Sequence, residues 1–397
     1  MNKQLPNNLK SKTPSPENIV TQKEAEIPFS LYIHTPWCIQ KCPYCDFNSH
    51  KLQSELNEEG YLQALIENLG IHKPSLNNRT IETIFIGGGT PSLLSAEFYL
   101  RLFDYLSTNF LLSSSVEITL EANPGTVEAE RFKHYKEVGI NRLSIGIQSF
   151  EPSALKRLGR IHDKQQAIKA IEFAQQAGFD NFNIDLMHGL PNQTKESAMA
   201  DIETALQFSP PHLSWYQLTI EPNTVFYKQQ PTLPSEEVLE AIESGGLSQL
   251  QSYDHYEISA FAQPGRQCQH NLNYWTFGDY LGIGAGAHSK ITTEHTVTRF
   301  ETKRIPKDYM AAPSQQINKR EVTSNDVIFE FMLMASRLYR PIAKSLFEQR
   351  TGLVFEILKP YLSKLQNEGL MQETENNIQI TPRGYRYLNE VQATFLS

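Results

Sequence analysis

With 397 residues, 40 % of them hydrophobic and 20 % charged, the chain has apolar material for one large domain and a smaller one. Its formal net charge of −8 argues against nucleic acid or an anionic membrane as the main partner. No apolar run is long enough to span a bilayer, and the opening stretch has no apolar signal-peptide core.

In chain order, the polar residues 1–27 come first and read as a disordered tail on a cytoplasmic protein with no transmembrane segment. Six short apolar strands follow: Phe29–His34, Thr83–Ile86, Val116–Leu120, Arg142–Ile145, Asn181–Leu186 and Leu213–Leu218. Between them lie segments with apolar residues at helical spacing, among them Gly60–Leu69, Glu97–Leu106, Glu128–Val138 and Gln165–Ala177. This alternation predicts an α/β fold with a parallel sheet under helices. Six such units over residues 28–258 fit an open, partial (β/α)6 barrel. Barrels of this kind bind ligands at the carboxyl ends of their strands. At those ends stand His34, Gly87–Gly89, Glu121, Gln148, Asp185 and Gln217.

Residues 259–323 depart from the pattern and read as a connecting segment. It holds Gln-Cys-Gln-His-Asn-Leu-Asn-Tyr-Trp at 267–275 and a glycine-rich, strand-like piece at Tyr280–Ala287. Residues 324–397 carry helical stretches, then an alternating Asn377–Ile380 and Thr381-Pro382-Arg383-Gly384, which predict a winged-helix-like C-terminal domain. From Asp326 onward its basic and acidic residues balance, eight against eight. A DNA-binding winged helix would show a basic face, so a structural or partner-docking role is expected.

Three of the four cysteines fall together as Cys38-x3-Cys42-x2-Cys45, on the loop after the first strand. A secreted disulfide framework would use more cysteines, spread along the chain, so the cluster of thiols points to metal. Four thiolates normally close a [4Fe–4S] cube, and with three, one iron keeps an open position. A zinc site would need a fourth ligand, which His34 or His50 offers, and three solitary buried thiols are the plain structural alternative. Gly87–Thr90 ends the second strand, where glycine lets the backbone approach a ligand; by itself such a run is more often a turn. Glu121, Gln148, Arg160 and Asp185 read either as ligand contacts or as salt-bridge anchors, because an unpaired carboxylate in a core is costly.

With Tyr44 before the last cysteine, the triad reads C-x3-C-x-aromatic-C and resembles the radical S-adenosylmethionine superfamily. The resemblance implies that superfamily's partial barrel, a [4Fe–4S] cluster on Cys38, Cys42 and Cys45, and S-adenosyl-L-methionine on its open iron. It further implies one-electron cleavage of the sulfonium, an electron donor, and S-adenosylmethionine contacts from Tyr32, Tyr44, Gly88, Gly89, Thr90, Glu121, Gln148, Arg160 and Asp185. From Leu31 to about Tyr387 the motifs resemble the oxygen-independent coproporphyrinogen oxidase-like branch. The oxidase motif carries a further cysteine two residues beyond the third, and here that position is Phe47.

The chain resembles the haem chaperone HemW family more closely. That family lacks that cysteine and carries a His-Asn-x-x-Tyr-Trp motif, present here as His270-Asn271-Leu272-Asn273-Tyr274-Trp275, with Cys268 two residues before it. This resemblance implies haem as a bound partner, with His270 and Cys268 as its candidate contacts, since imidazole and thiolate are ordinary axial ligands. It also implies haem transfer to an acceptor protein and no decarboxylation of coproporphyrinogen. The competing reading of the segment has His270 and Asn271 tying down a loop with Trp275 in the core. A coproporphyrinogen oxidase is the alternative function, and an iron–sulfur regulatory protein a third.

Overall fold

The protein is seen in a computed structural model that describes residues 27–76, 79–125, 129–293 and 296–396. The predicted tail lies outside the described residues except for Ile27, which is buried and accepts a hydrogen bond from Arg79 on its carbonyl (2.9 Å). Glu128, the first residue of one predicted helix, also lies outside them.

Six strands lie side by side, parallel and in chain order: β1 (Phe29–Thr35), β2 (Thr80–Gly88), β3 (Leu111–Ala122), β4 (Arg142–Gln148), β5 (Phe182–His188) and β6 (His212–Gln217). Helices connect them, including α1 (Glu58–Leu76), α2 (Ala96–Asn109), α3 (Ala129–Glu137), α4 (Pro152–Arg157), α5 (Lys164–Gln176) and α6 (Lys195–Leu206). A sheet covered on both faces requires nearly continuous apolar strands. Accordingly β1 buries every side chain but that of Tyr32, and β4 buries all of its own. The helices start where the sequence supplies caps: the Ser95 hydroxyl accepts from Phe98 N–H, and Asp163 forms a capping box with Gln166. Phe98, Leu102 and Leu106 then place one stripe of α2 in the core.

The strands outrun their apolar cores. β4 continues to Gln148 and β2 to Gly88, because polar or glycine residues at the site end still pair with the neighbouring strand. The sheet is also wider than six strands. At the β6 edge, β7 (Asp254–Glu257) and β8 (Ala260–Ala262) add an antiparallel hairpin. After α7 (Val225–Gln229), α8 (Glu236–Gln249) and α9 (Gln269–Trp275), strand β9 (Asp279–Ile283) returns to the other edge and runs parallel to β1. Antiparallel β10 (His288–Thr292), β11 (Val297–Thr302) and β12 (Gln316–Glu321) follow. The order is β12-β11-β10-β9-β1-β2-β3-β4-β5-β6-β8-β7. The stretch read as a connecting segment thus builds sheet, and short hairpins with mixed burial had hidden it from periodicity.

The C-terminal domain has the winged-helix order. After α10 (Pro306–Ala311) come α11 (Ser324–Ala335), β13 (Ile342–Ala343), α12 (Lys344–Thr351), α13 (Lys359–Asn367), β14 (Met371–Glu373) and β15 (Asn377–Ile380), with sheet order β13-β15-β14. It has its own core around Phe331, Phe347, Leu358 and Leu365. Arg337 pairs with Glu257 (3.3 Å) and Arg299 with Glu330 (2.8 Å), tying the domain to the two flanks of the sheet. No helix among the described residues is long and apolar enough to cross a membrane.

Candidate functional site

Two cavities open at the carboxyl ends of the strands and share Phe47, Gly88 and Glu121 as a common wall. The smaller, about 290 Å³, is lined by Cys38, Cys42 and Cys45 on the loop after β1. Eight of the nine residues expected to contact S-adenosylmethionine line it too: Tyr44, Gly88, Gly89, Thr90, Glu121, Gln148, Arg160 and Asp185. Tyr32 is the exception. It faces the larger cavity, and its hydroxyl donates to His34 Nδ1 (2.9 Å).

Close backbone contact explains the glycines. Gly88 has φ +112, and a Cβ there would overlap the His34 ring; a Cβ on Gly89 would lie 2.5 Å from the Trp37 carbonyl oxygen. The loop is pinned to the cysteine segment by Gly89 N–H on Thr35 O (2.6 Å) and Thr90 N–H on Trp37 O (2.7 Å). Gly88 N–H donates to Glu121 Oε2 (3.0 Å). Burial first, and then the neighbouring Asp185, push the Glu121 carboxyl up to about 8. Burial likewise raises Asp185, which accepts from Asn183 (2.8 Å) and Ser144 (3.0 Å).

Arg160 sets the other side. Its Nη2 donates to Asn123 Oδ1 and to Gly146 O, both at 2.6 Å, which aims Nη1 at Cys42 Sγ, 3.7 Å away. Gln148 takes a left-handed φ of +70, a strained conformation for a residue with a side chain, and accepts from the Tyr216 hydroxyl (2.8 Å). Burial raises the Cys38 and Cys45 thiols, so a thiolate at either position would need a cationic partner. Asn123, Gly146 and Tyr216 were missed as site residues from the sequence. Asn123 stands two residues after Glu121 in the same Leu-Glu-Ala-Asn-Pro motif, and that adjacency was the available signal.

The larger cavity, about 470 Å³, lies between the β1, β9 and β10 ends and α11 of the C-terminal domain. An aromatic lining of Tyr32, Phe47, Tyr274, Trp275, Phe277 and Tyr280 is joined by Met334, with His288 and Arg304 at its rim. Its volume falls in the range of about 300–1,000 Å³ that small-molecule sites occupy. Phe47 is 61 % exposed and stands between the two cavities.

His270 and Cys268, the expected haem contacts, line neither cavity. His270 is fully buried, with Nδ1 on the Thr83 hydroxyl (2.7 Å) and Nε2 on the Tyr274 hydroxyl (2.9 Å). Thr83 donates onward to Ser30, so it accepts from Nδ1–H, and Nε2 then accepts from Tyr274. Both nitrogens are occupied, and burial, aided by Arg142, pushes the ring down to about 3. Cys268 Sγ lies 3.7 Å from Glu117, whose carboxylate also accepts from Gln269 and His270 N–H at the start of α9. Burial pushes this thiol up to about 12. The part of the motif that reaches a cavity is Tyr274–Trp275.

A Radical SAM superfamily profile matches residues 32–205, and a HemN C-terminal domain profile matches residues 322–387. The chain is 47 % identical over 373 residues to the haem chaperone HemW of Escherichia coli strain K12, which covers 93 % of this chain and 98 % of that protein. It is 37 % identical over 381 residues to the haem chaperone HemW of Bacillus subtilis, covering 92 % and 99 %. Among solved structures it resembles the coproporphyrinogen III oxidase HemN of Escherichia coli, a radical SAM enzyme, with a TM-score of 0.80 at 25 % identity over 94 % of this chain and 91 % of that one.

Proposed function

The chain belongs to the haem chaperone HemW family, and from that premise we propose that it binds haem in the larger cavity and passes it to an acceptor protein. In this reading the smaller cavity holds a [4Fe–4S] cluster on Cys38, Cys42 and Cys45 with S-adenosylmethionine beside it. The observation that carries the proposal is the aromatic cavity with a basic rim, which meets the cysteine-lined cavity at Phe47, Gly88 and Glu121.

The residues suit these groups. Haem is a flat apolar disc with two carboxylates, and aromatic faces pack against such a disc while a rim cation meets its carboxylates. Trp275 lines the cavity; Arg337 stacks on its ring (4.3 Å), and its buried Nε1 has no hydrogen-bond partner among the described residues. In the smaller cavity a bound three-thiolate cluster supplies one-electron reduction of the sulfonium. Arg160 steadies the Cys42 thiolate, while Glu121 and Asp185 supply oxygens for ribose hydroxyls. Phe47 cannot take a polar or redox part that a thiol would take, so decarboxylation of coproporphyrinogen is not expected.

The test is anaerobic reconstitution of cluster and haem, followed by mixing with an apo-globin acceptor. Haem should move to the acceptor. With reductant, S-adenosylmethionine and coproporphyrinogen, no protoporphyrinogen should form. Repeated turnover to that product would overturn the chaperone reading.

A further inference from the structure

His288 opens β10 at the rim of the larger cavity, opposite Glu301 of β11 in the strand register. Its side chain is 59 % exposed, and its Nε2 lies 3.4 Å from Glu301 Oε2. Among the described residues that oxygen is buried and accepts no hydrogen bond, and Arg304 Nε pairs with it at 3.6 Å. Glu301 is otherwise anchored, since its Oε1 accepts from Asn318. A buried carboxylate oxygen left open beside an exposed imidazole is costly unless the ring donates to it. An imidazole that donates one N–H to a carboxylate and keeps the other nitrogen bare is the usual form of a metal-binding histidine.

The other histidine and tyrosine side chains of the wall are already engaged. His34 is buried, donates Nε2–H to Asn48 O (2.9 Å) and accepts from Tyr32 on Nδ1, and burial pushes it down to about 4. Burial, with Glu121 beside it, raises Tyr32, and burial likewise raises Tyr274, so both phenols stay protonated. The Tyr280 hydroxyl accepts from Arg299 (2.7 Å).

Resting on the reading that haem occupies this cavity, we propose that His288 ligates the haem iron through Nδ1, with Glu301 holding the ring's Nε2–H. A ligand at the rim keeps the iron near solvent, where an acceptor's own ligand can replace the imidazole. That placement suits a protein that must give its haem away.

The experiment loads haem onto wild type, His288→Gly, Glu301→Gln and His270→Ala, and reads the iron–imidazole stretching band of the ferrous haem by resonance Raman. The band should be present in wild type, absent in His288→Gly, and restored there by added imidazole. In Glu301→Gln it should move to lower frequency, because the ring loses its carboxylate acceptor. In His270→Ala it should be unchanged. Haem should still bind His288→Gly, about tenfold more weakly. A band that persists in His288→Gly, or that vanishes in His270→Ala instead, overturns the assignment. Trp275→Ala separates this from the underlying reading: unaltered haem affinity there would strike the cavity itself.

Discussion

The two cavities share a wall and differ in almost everything else. In the smaller one the polar side chains already bond to one another. Arg160 is fixed by Asn123 and Gly146, Gln148 by Tyr216, Asp185 by Asn183 and Ser144, and the glycine loop by the cysteine segment. Such a site accepts a ligand in one pose, because its ordering cost was met in folding. The larger cavity offers aromatic side chains, a Trp275 Nε1 with no hydrogen-bond partner among the described residues, and an exposed rim. It can hold a planar molecule by area and still release it. Fixed geometry suits a cofactor that stays, and an open aromatic slot suits a cargo that leaves.

Cys42→Ala should separate the two cavities most strongly. Two thiols cannot hold the cluster, so iron and labile sulfide measured after anaerobic reconstitution should fall to near background, with haem binding intact. A full four-iron complement in that variant would remove the triad as the cluster site.

His270→Ala tests whether the motif histidine acts as a support. Truncation removes a buried ring and leaves the Tyr274 and Thr83 hydroxyls without their partner, a loss of about 3 kcal/mol in denaturant unfolding. A variant as stable as wild type would contradict the buried, doubly bonded placement.

Glu121→Gln probes the polar cavity. A carboxyl raised from 4.5 to about 8 stabilises the fold fully below pH 4.5 and loses that contribution as pH rises through about 8. Without S-adenosylmethionine, wild type should therefore lose about 3 kcal/mol more stability than Glu121→Gln between pH 6 and 9. Parallel stability curves would mean the carboxyl is not held protonated. The smallest expected effect is on the aromatic side. Trp275→Ala should weaken haem binding about tenfold in a Soret titration and leave S-adenosylmethionine affinity unchanged.

How much of this was legible in the sequence follows the same division. The cysteine triad, Gly88–Thr90, Glu121, Gln148, Arg160 and Asp185 belong to short motifs at strand ends, so reading the strands located the smaller cavity. The larger one draws Tyr32, Tyr280, His288, Arg304 and Met334 from separate elements. They meet only because β9 pairs with β1 and the β10–β12 hairpins follow, a pairing that periodicity does not disclose. His270 lies away from both cavities for a local reason. On α9 it stands four residues before Tyr274, so the two share a helix face and bond to each other, and the ring turns to the sheet.

The claim that haem and cluster occupy separate cavities is tested most directly by one titration. Haem is added to a Cys38→Ala, Cys42→Ala, Cys45→Ala variant shown by circular dichroism to be folded. The account predicts a Soret band with an affinity within about threefold of wild type, a change of at most roughly 0.7 kcal/mol. Loss of the band in the folded variant would contradict it.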